Sequence, residues 1–250
     1  MTDNRLVKKY NFIMHRQILM IIACIILGST ASQAQLRQIN RSNHDDLPYY
    51  FGIYLAYNKA SLHPTKNMKF LQDDSVLTAE AGSTGGVALG FLATFKLSDH
   101  WEFRLNPNLI IGGAKPFTYT LKNPAPGESL TEKKSLPSSI FTFPAQFKFN
   151  SDRIDNFRVY MMFDGYIASD LMANAGNRNA EDLIKLKKGD YGLETAIGFN
   201  FYLKYVTLSP ELKFTYGLSN LHARDPNLKF SSVFDKLQSR MITFSINIEQ

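Results

Sequence analysis

His63 and His222 each stand near a residue that could share chemistry with an imidazole: Ser61 for the first, Asp225 for the second. A histidine beside a hydroxyl or carboxylate at a membrane surface could run acyl transfer on a lipid, with the imidazole as general base. The spacing specifies no complete set of nucleophile, base and orienting group, and turn propensity accounts for all four residues. Catalysis is therefore not expected. No Cys/His cluster has zinc-ligand spacing, and Asp73-Asp74 offers calcium no defined ligand set. No cofactor is expected. A second group has a different character. Lys96, Glu102, Arg104, Glu194, Glu211 and Lys213, with Lys148, Arg158, Asp164 and Asp190, all fall on one parity of alternating segments. Such charges suit ion pairing inside an enclosed polar interior.

The segments that carry these charges alternate apolar and polar residues with a period of two. The first has Tyr49, Phe51, Ile53, Leu55 and Tyr57 on one face, and the last has Ile242, Phe244, Ile246 and Ile248. Alternation over about ten residues is the length of a tilted strand crossing a bilayer. Eight such strands are expected, at 48–58, 86–97, 101–111, 138–149, 157–168, 189–203, 206–217 and 239–249. From the second strand to the seventh, the apolar parity carries aromatic and aliphatic residues such as Phe91, Trp101, Phe163 and Phe214, and no charge; in the last strand it begins at Arg240. A charge facing lipid at mid-depth costs about 2–4 kcal/mol. Turn centres near Asp99 and Lys204 set Lys96 across from Glu102 and bring Glu194 close to Lys213, both favourable pairs. Lys148 and Arg158 fall opposite each other as like charges. Pro107, Pro144 and Pro210 each delete a ladder donor and are read as bulges.

The gaps alternate between short and long. Ser98–His100, Asn150–Asn156 and Lys204–Tyr205 are short; 59–85, 112–137, 169–188 and 218–238 are long. A soluble sandwich or lipocalin-like barrel would turn the apolar parity inward. The two-length rhythm and the number of charges on the other parity favour the membrane. The expected fold is all-β: an eight-stranded antiparallel barrel of the outer-membrane type, with short helices in its long loops. Such a barrel is just wide enough for side chains to fill it, so its inner charges form a packed plug. Short turns belong in the periplasm and long loops at the cell surface.

Lys8, Lys9 and Arg16 precede an apolar run from Ile18 to Leu27, and Ser32-Gln33-Ala34 follows. This is the layout of a cleaved secretory leader at 1–34, with Met14 as an alternative start. Cys24 lies within the apolar run, and a lipoprotein anchor on it is the less favoured reading. Residues 35–47 form a short periplasmic segment before a barrel domain at 48–250. The formal charge is +6; removing four basic residues and one acidic residue with the leader leaves +3, which makes no case for nucleic-acid binding. The expected surroundings are outer-membrane lipid.

Within the long loops, Asn179 caps a stretch with acids first (Glu181, Asp182) and lysines last (Lys185, Lys187, Lys188), stopped by Gly189, so a short helix is expected. Ser231–Leu237 reads as another capped turn. Glu181, Asp182, Arg224, Asp225, Asp235, Lys236 and Arg240 are candidates for an interaction surface, with rim salt bridges as the plainer role.

Several stretches resemble the PorT (SprT) family of type IX secretion and gliding-motility proteins of Bacteroidetes. They include Pro48-Tyr49-Tyr50-Phe51-Gly52-Ile53, Phe70-Leu71-Gln72-Asp73-Asp74-Ser75 and Ala180-Glu181-Asp182-Leu183-Ile184. Lys188–Glu194, Ser209–Phe214 and the C-terminal run from Asp225-Pro226-Asn227-Leu228 through Asp235–Met241 complete the set. The resemblance spans essentially the whole mature chain. It implies an outer-membrane subunit that serves export of cargo proteins, with other secretion components as partners. It brings no catalytic or ligand residues. A general structural or adhesive barrel with ligand-binding loops stands as the alternative.

Overall fold

The computed structural model describes residues 39–67, 76–122, 124, 129–173, 184–224, 230–231 and 233–250. The expected leader at 1–34 lies outside them, as do Glu181, Asp182 and Asp225. Twelve strands follow a 3-10 helix at Ser42–Asp46: β1 (Tyr49–Lys66), β2 (Val76–Ala81), β3 (Ser83–Lys96), β4 (Trp101–Leu105), β5 (Asn108–Gly112), β6 (Lys115–Leu121), β7 (Thr131–Leu136), β8 (Ser139–Asn150), β9 (Phe157–Asp170), β10 (Gly189–Tyr202), β11 (Thr207–Gly217) and β12 (Phe234–Glu249).

β1 pairs antiparallel with both β3 and β12, so the larger sheet closes on itself. Closure leaves no sheet edge, which a membrane requires because lipid offers backbone groups no hydrogen bonds. β4 and β5 both lie between β3 and β8 and act as one stave, so the ring has eight. Val87, Leu89, Phe91, Phe141, Phe163, Phe214 and Ile242 face outward and are exposed, while their neighbours Ala88, Met162, Thr215 and Thr243 are buried in the lumen. The girdle residues Tyr49, Trp101, Tyr191 and Tyr216 are exposed near strand ends, where amphipathic rings meet the membrane–water interface.

The prolines behave differently from expectation. On either side of Pro107, β3 keeps one register, from Ala93↔Leu105 to Gly90↔Asn108. Pro144↔Tyr166 and Pro210↔Ile246 also sit in unbroken register. Each proline removes a donor without inserting a residue, so none makes a bulge. Neighbours use the adjacent carbonyls instead: Phe91 N donates to Pro107 O at 3.1 Å and Asn106 N to Pro144 O at 3.4 Å.

The long loops also differ. β1 and β12 run past the expected strand ends and pair up to Lys66↔Phe234. β2, β6 and β7 form a separate three-stranded antiparallel sheet. Ile184–Lys188 is extended, with Leu186 bridged to His222, so the expected helix does not cover those residues. Its first part lies outside the described residues. Alternate burial explains the outcome: Ile184 and Leu186 both enter an apolar core, and residues two apart share a face only in an extended chain. Phe230, Ser231 and Val233 lie in turns, but Phe234 onward is strand.

Candidate functional site: a lumen closed at both ends

The end of the barrel that carries the short turns is covered by the segment before β1. Asp45 is its hub. Arg153, in the β8–β9 turn, reaches Asp45 Oδ2 at 3.1 Å and Arg41 O at 3.2 Å with Nη1, and bonds Asn40 O with Nη2. Its guanidinium lies 3.7 Å from the Tyr202 ring centroid. Arg158 pairs with Asp45 at 3.2 Å, and Lys96 Nζ donates to Asp45 O at 2.7 Å. Arg41, in the left-handed conformation at φ 50°, donates to Thr207 Oγ1 at 2.9 Å and Glu249 O at 3.1 Å. His44 sits against Tyr50 and Tyr202, with ring centroids 4.7 and 5.6 Å apart. Burial, followed by the charge of Arg41, pushes its imidazole down to about 4.

Two expected charge contacts are replaced here. Lys96 does stand opposite Glu102 in register. Its ammonium nevertheless goes to Asp99 at 3.0 Å and to Asp45 O. Lys148 lies opposite Met162, not Arg158. The β8–β9 turn has its apex at Asp155, whose φ is 54°, so the partner of Lys148 moves four residues along β9, from 158 to 162.

Above this cover the lumen is filled with charge. Lys148 Nζ lies 3.1 Å from Glu102 Oε2, which also accepts from Tyr50 OH at 2.9 Å. Arg104 spans Glu211 at 3.2 Å and Glu249 at 3.4 Å. Tyr160 OH donates to Glu211 at 3.0 Å. Lys213 pairs with Glu194 at 3.2 Å and approaches Glu211 at 3.9 Å. Arg104, Gln146, Lys148 and Asn150 have no exposed surface. The interior space between Tyr54, Asn58, Asn108 and Lys213 is about 10 Å³, roughly the room one water needs. Ions in an apolar wall persist only when mutually paired, and here the paired side chains of Arg104 and Lys148 occupy the lumen.

The loop end has its own apolar core, to which every long connection contributes. Leu62, Val76 and Ala79 come from the first, Phe117, Tyr119, Leu121 and Leu136 from the second, Ile184 and Leu186 from the third, and Leu221, Phe230, Val233, Phe234 and Leu237 from the fourth. Phe117 and Phe234 rings are 5.1 Å apart, and Tyr119 and Phe230 rings 4.7 Å. Lys187 N to Leu221 O at 2.7 Å and Ala223 N to Lys185 O at 2.9 Å tie the third connection to the fourth. Beneath, Asp190 accepts from Ser219, Ser239 and Tyr166, and Lys115 reaches Asp170 at 3.7 Å. Burial lowers the Lys115 ammonium's affinity for its proton, and Asp170 offsets part of that.

The two histidines do not meet. His222 is buried in the cap with Nε2 2.8 Å from Ser231 Oγ, and burial pushes its pKa down. His63 is exposed on the outer face of β1. Of the candidate interaction residues, Arg224, Asp235 and Lys236 are exposed at the loop end. Arg240 is instead on the barrel's outer wall, its guanidinium 3.3 Å from the Tyr216 ring centroid. Sequence reading missed Asp45 and Arg153. The seven-residue connection 150–156, long for a turn, was the available signal.

Among solved structures, the chain is similar to OprG of Pseudomonas aeruginosa, at 14% identity and TM-score 0.46, over 80% of this chain and 93% of that one. It is also similar to Neisserial surface protein A, at 13% identity and TM-score 0.41, over 81% and 97%. Ail, the attachment invasion locus protein of Yersinia pestis, aligns at 8% identity and TM-score 0.35, over 82% and 100%. No curated protein matches the chain. The family model described as outer membrane protein beta-barrel domain matches residues 33–223, so the chain belongs to that family of outer-membrane barrels.

Proposed function

We propose that this barrel is a non-enzymatic subunit of the type IX protein secretion machinery, acting in the assembly or operation of cargo export and gliding. The carrying observation is the set of loop and strand motifs that resemble the PorT (SprT) family, from Pro48–Ile53 to Asp225–Met241. The packed lumen supports an accessory role: Arg104 and Lys148 fill the space a polypeptide would need. Cargo then passes through a larger channel beside this protein. Its partners are other secretion components and outer-membrane lipid, and its export depends on the leader at 1–34. Nucleic acid is not among them.

A clean deletion tests this reading. Cargo with C-terminal sorting domains is expected to accumulate in the periplasm; normal export in the deletion strain would sink it. The alternative, an adhesive barrel, predicts that exchanging the segments around Arg224 and Asp235 abolishes adhesion while export continues.

A further inference from the structure

The outer wall of the barrel is not charge-symmetric. Along the outward parity of the strands that form the ring there is no carboxylate among the described residues. The outward cations are Lys59 on β1 and Arg240 and Lys236 on β12, all on one seam at the loop end. Lys59 is opposite Ile242 and Ser61 is opposite Arg240, which makes Lys59 and Arg240 diagonal neighbours. Diagonal neighbours are about 7–8 Å apart at the backbone, a gap two long side chains can close on one anion.

A groove of about 690 Å³ opens on this seam. Phe163, Leu193, Phe214 and Ile242 wall it, Lys59, Ser61 and Arg240 supply polar ends, and Glu194, which also lines it, is neutralised from the lumen by Lys213 at 3.2 Å. Arg240 is held rather than mobile: Nη1 bonds Gly217 O at 3.0 Å and Ser239 O at 2.8 Å, over the Tyr216 ring. Those bonds use Nη1 alone, and the remaining guanidinium donors have no partner among the described residues. Lys59 and Lys236 make no ion pair among the described residues. Cations on a lipid-facing wall are costly unless something pairs with them.

We propose that this seam binds the phosphorylated head of lipid A from the outer leaflet, with the acyl chains lying along the apolar wall below. The long-loop end faces the leaflet that holds this lipid. Guanidinium and ammonium donors match phosphate oxygens, and the hydroxyls of Ser61 and Ser83, opposite each other in register, extend the donor row. The site depends on the barrel's place in the outer membrane and not on the secretion reading.

The full chain, purified in a zwitterionic detergent, is offered bisphosphorylated lipid A, its dephosphorylated form, or phosphatidylglycerol, and bound lipid is counted by native mass spectrometry. Lipid A is expected to be retained at least tenfold over either competitor, and Lys59→Gln with Arg240→Gln to abolish the difference. Heat-modifiable migration checks that the variant is folded; the lipid comparison on the unaltered chain stands without it. Equal retention of dephosphorylated lipid A, or of phosphatidylglycerol, overturns the proposal.

Discussion

Arg104 and Glu211 face each other across the lumen at 3.2 Å, with neither side chain more than 1% exposed. Glu249 holds the other guanidinium nitrogen, and Tyr160 and Asn247 hold the same Glu211 oxygen. Removing one partner leaves an uncompensated charge in a fully buried site. Arg104→Ala is expected to cost about 3–5 kcal/mol, read from the urea midpoint of the folded barrel in detergent. Replacing Arg104, Glu211 and Glu249 together with apolar residues of similar volume should recover much of that loss.

The cover at the short-turn end should respond to pH. His44 titrates near 4 in the folded protein against 6.5 when unfolded. Its folded pKa is lowered, so the seated segment is fully favoured above about 6.5 and loses stability as pH falls toward 4. A spin label at Ser42 should gain mobility across that window. His44→Gln should remove most of the transition; an unchanged profile would contradict a role for His44.

Glycine at 90 is required by the approach of the broken stave. A Cβ there would lie 2.5 Å from Asn108 Cβ and 2.6 Å from Pro107 O. Both are held by backbone, so Gly90→Ala should cost about 1–3 kcal/mol. Gly165→Ala meets only Gly192 O at 3.9 Å and should be tolerated. Comparing the two in the same unfolding assay separates close approach from a general glycine effect.

The cap at the loop end has an apolar core distinct from the wall. Phe234→Ala removes a ring that touches Phe117 and Tyr119, a loss of about 3–5 kcal/mol. Limited proteolysis should then cut within the long connections while heat-modifiable migration of the barrel persists. Loss of both would mean that cap and wall fold as one unit.

The barrel wall was legible because burial there follows strict alternation. Phe91, Phe163 and Phe214 point out wherever their neighbours point in, and that parity is written in residue type. Register was legible where turns were tight, as at Asp99. It slipped at 150–156, where the apex at Asp155 is set by backbone conformation and by the Arg153–Asp45 contact. The cap was not legible. Asn179 and the flanking charges satisfy local helix rules, yet Ile184 and Leu186 gain more from burial against Phe230 and Leu237 than a short helix could return. The cover built on Asp45 escaped notice because its partners lie more than a hundred residues away in sequence, at Arg153 and Arg158. Ion pairing at that range leaves no periodic trace.

The sealed lumen is tested most directly by conductance. Purified protein inserted into a planar lipid bilayer should give no resolvable current steps at neutral pH, because Arg104, Gln146 and Lys148 close the interior independently of both covers. Deleting residues 39–47 should leave that result unchanged. Stable, voltage-independent open steps from the unaltered chain would contradict a closed barrel and restore the lumen as a candidate path for transported solutes.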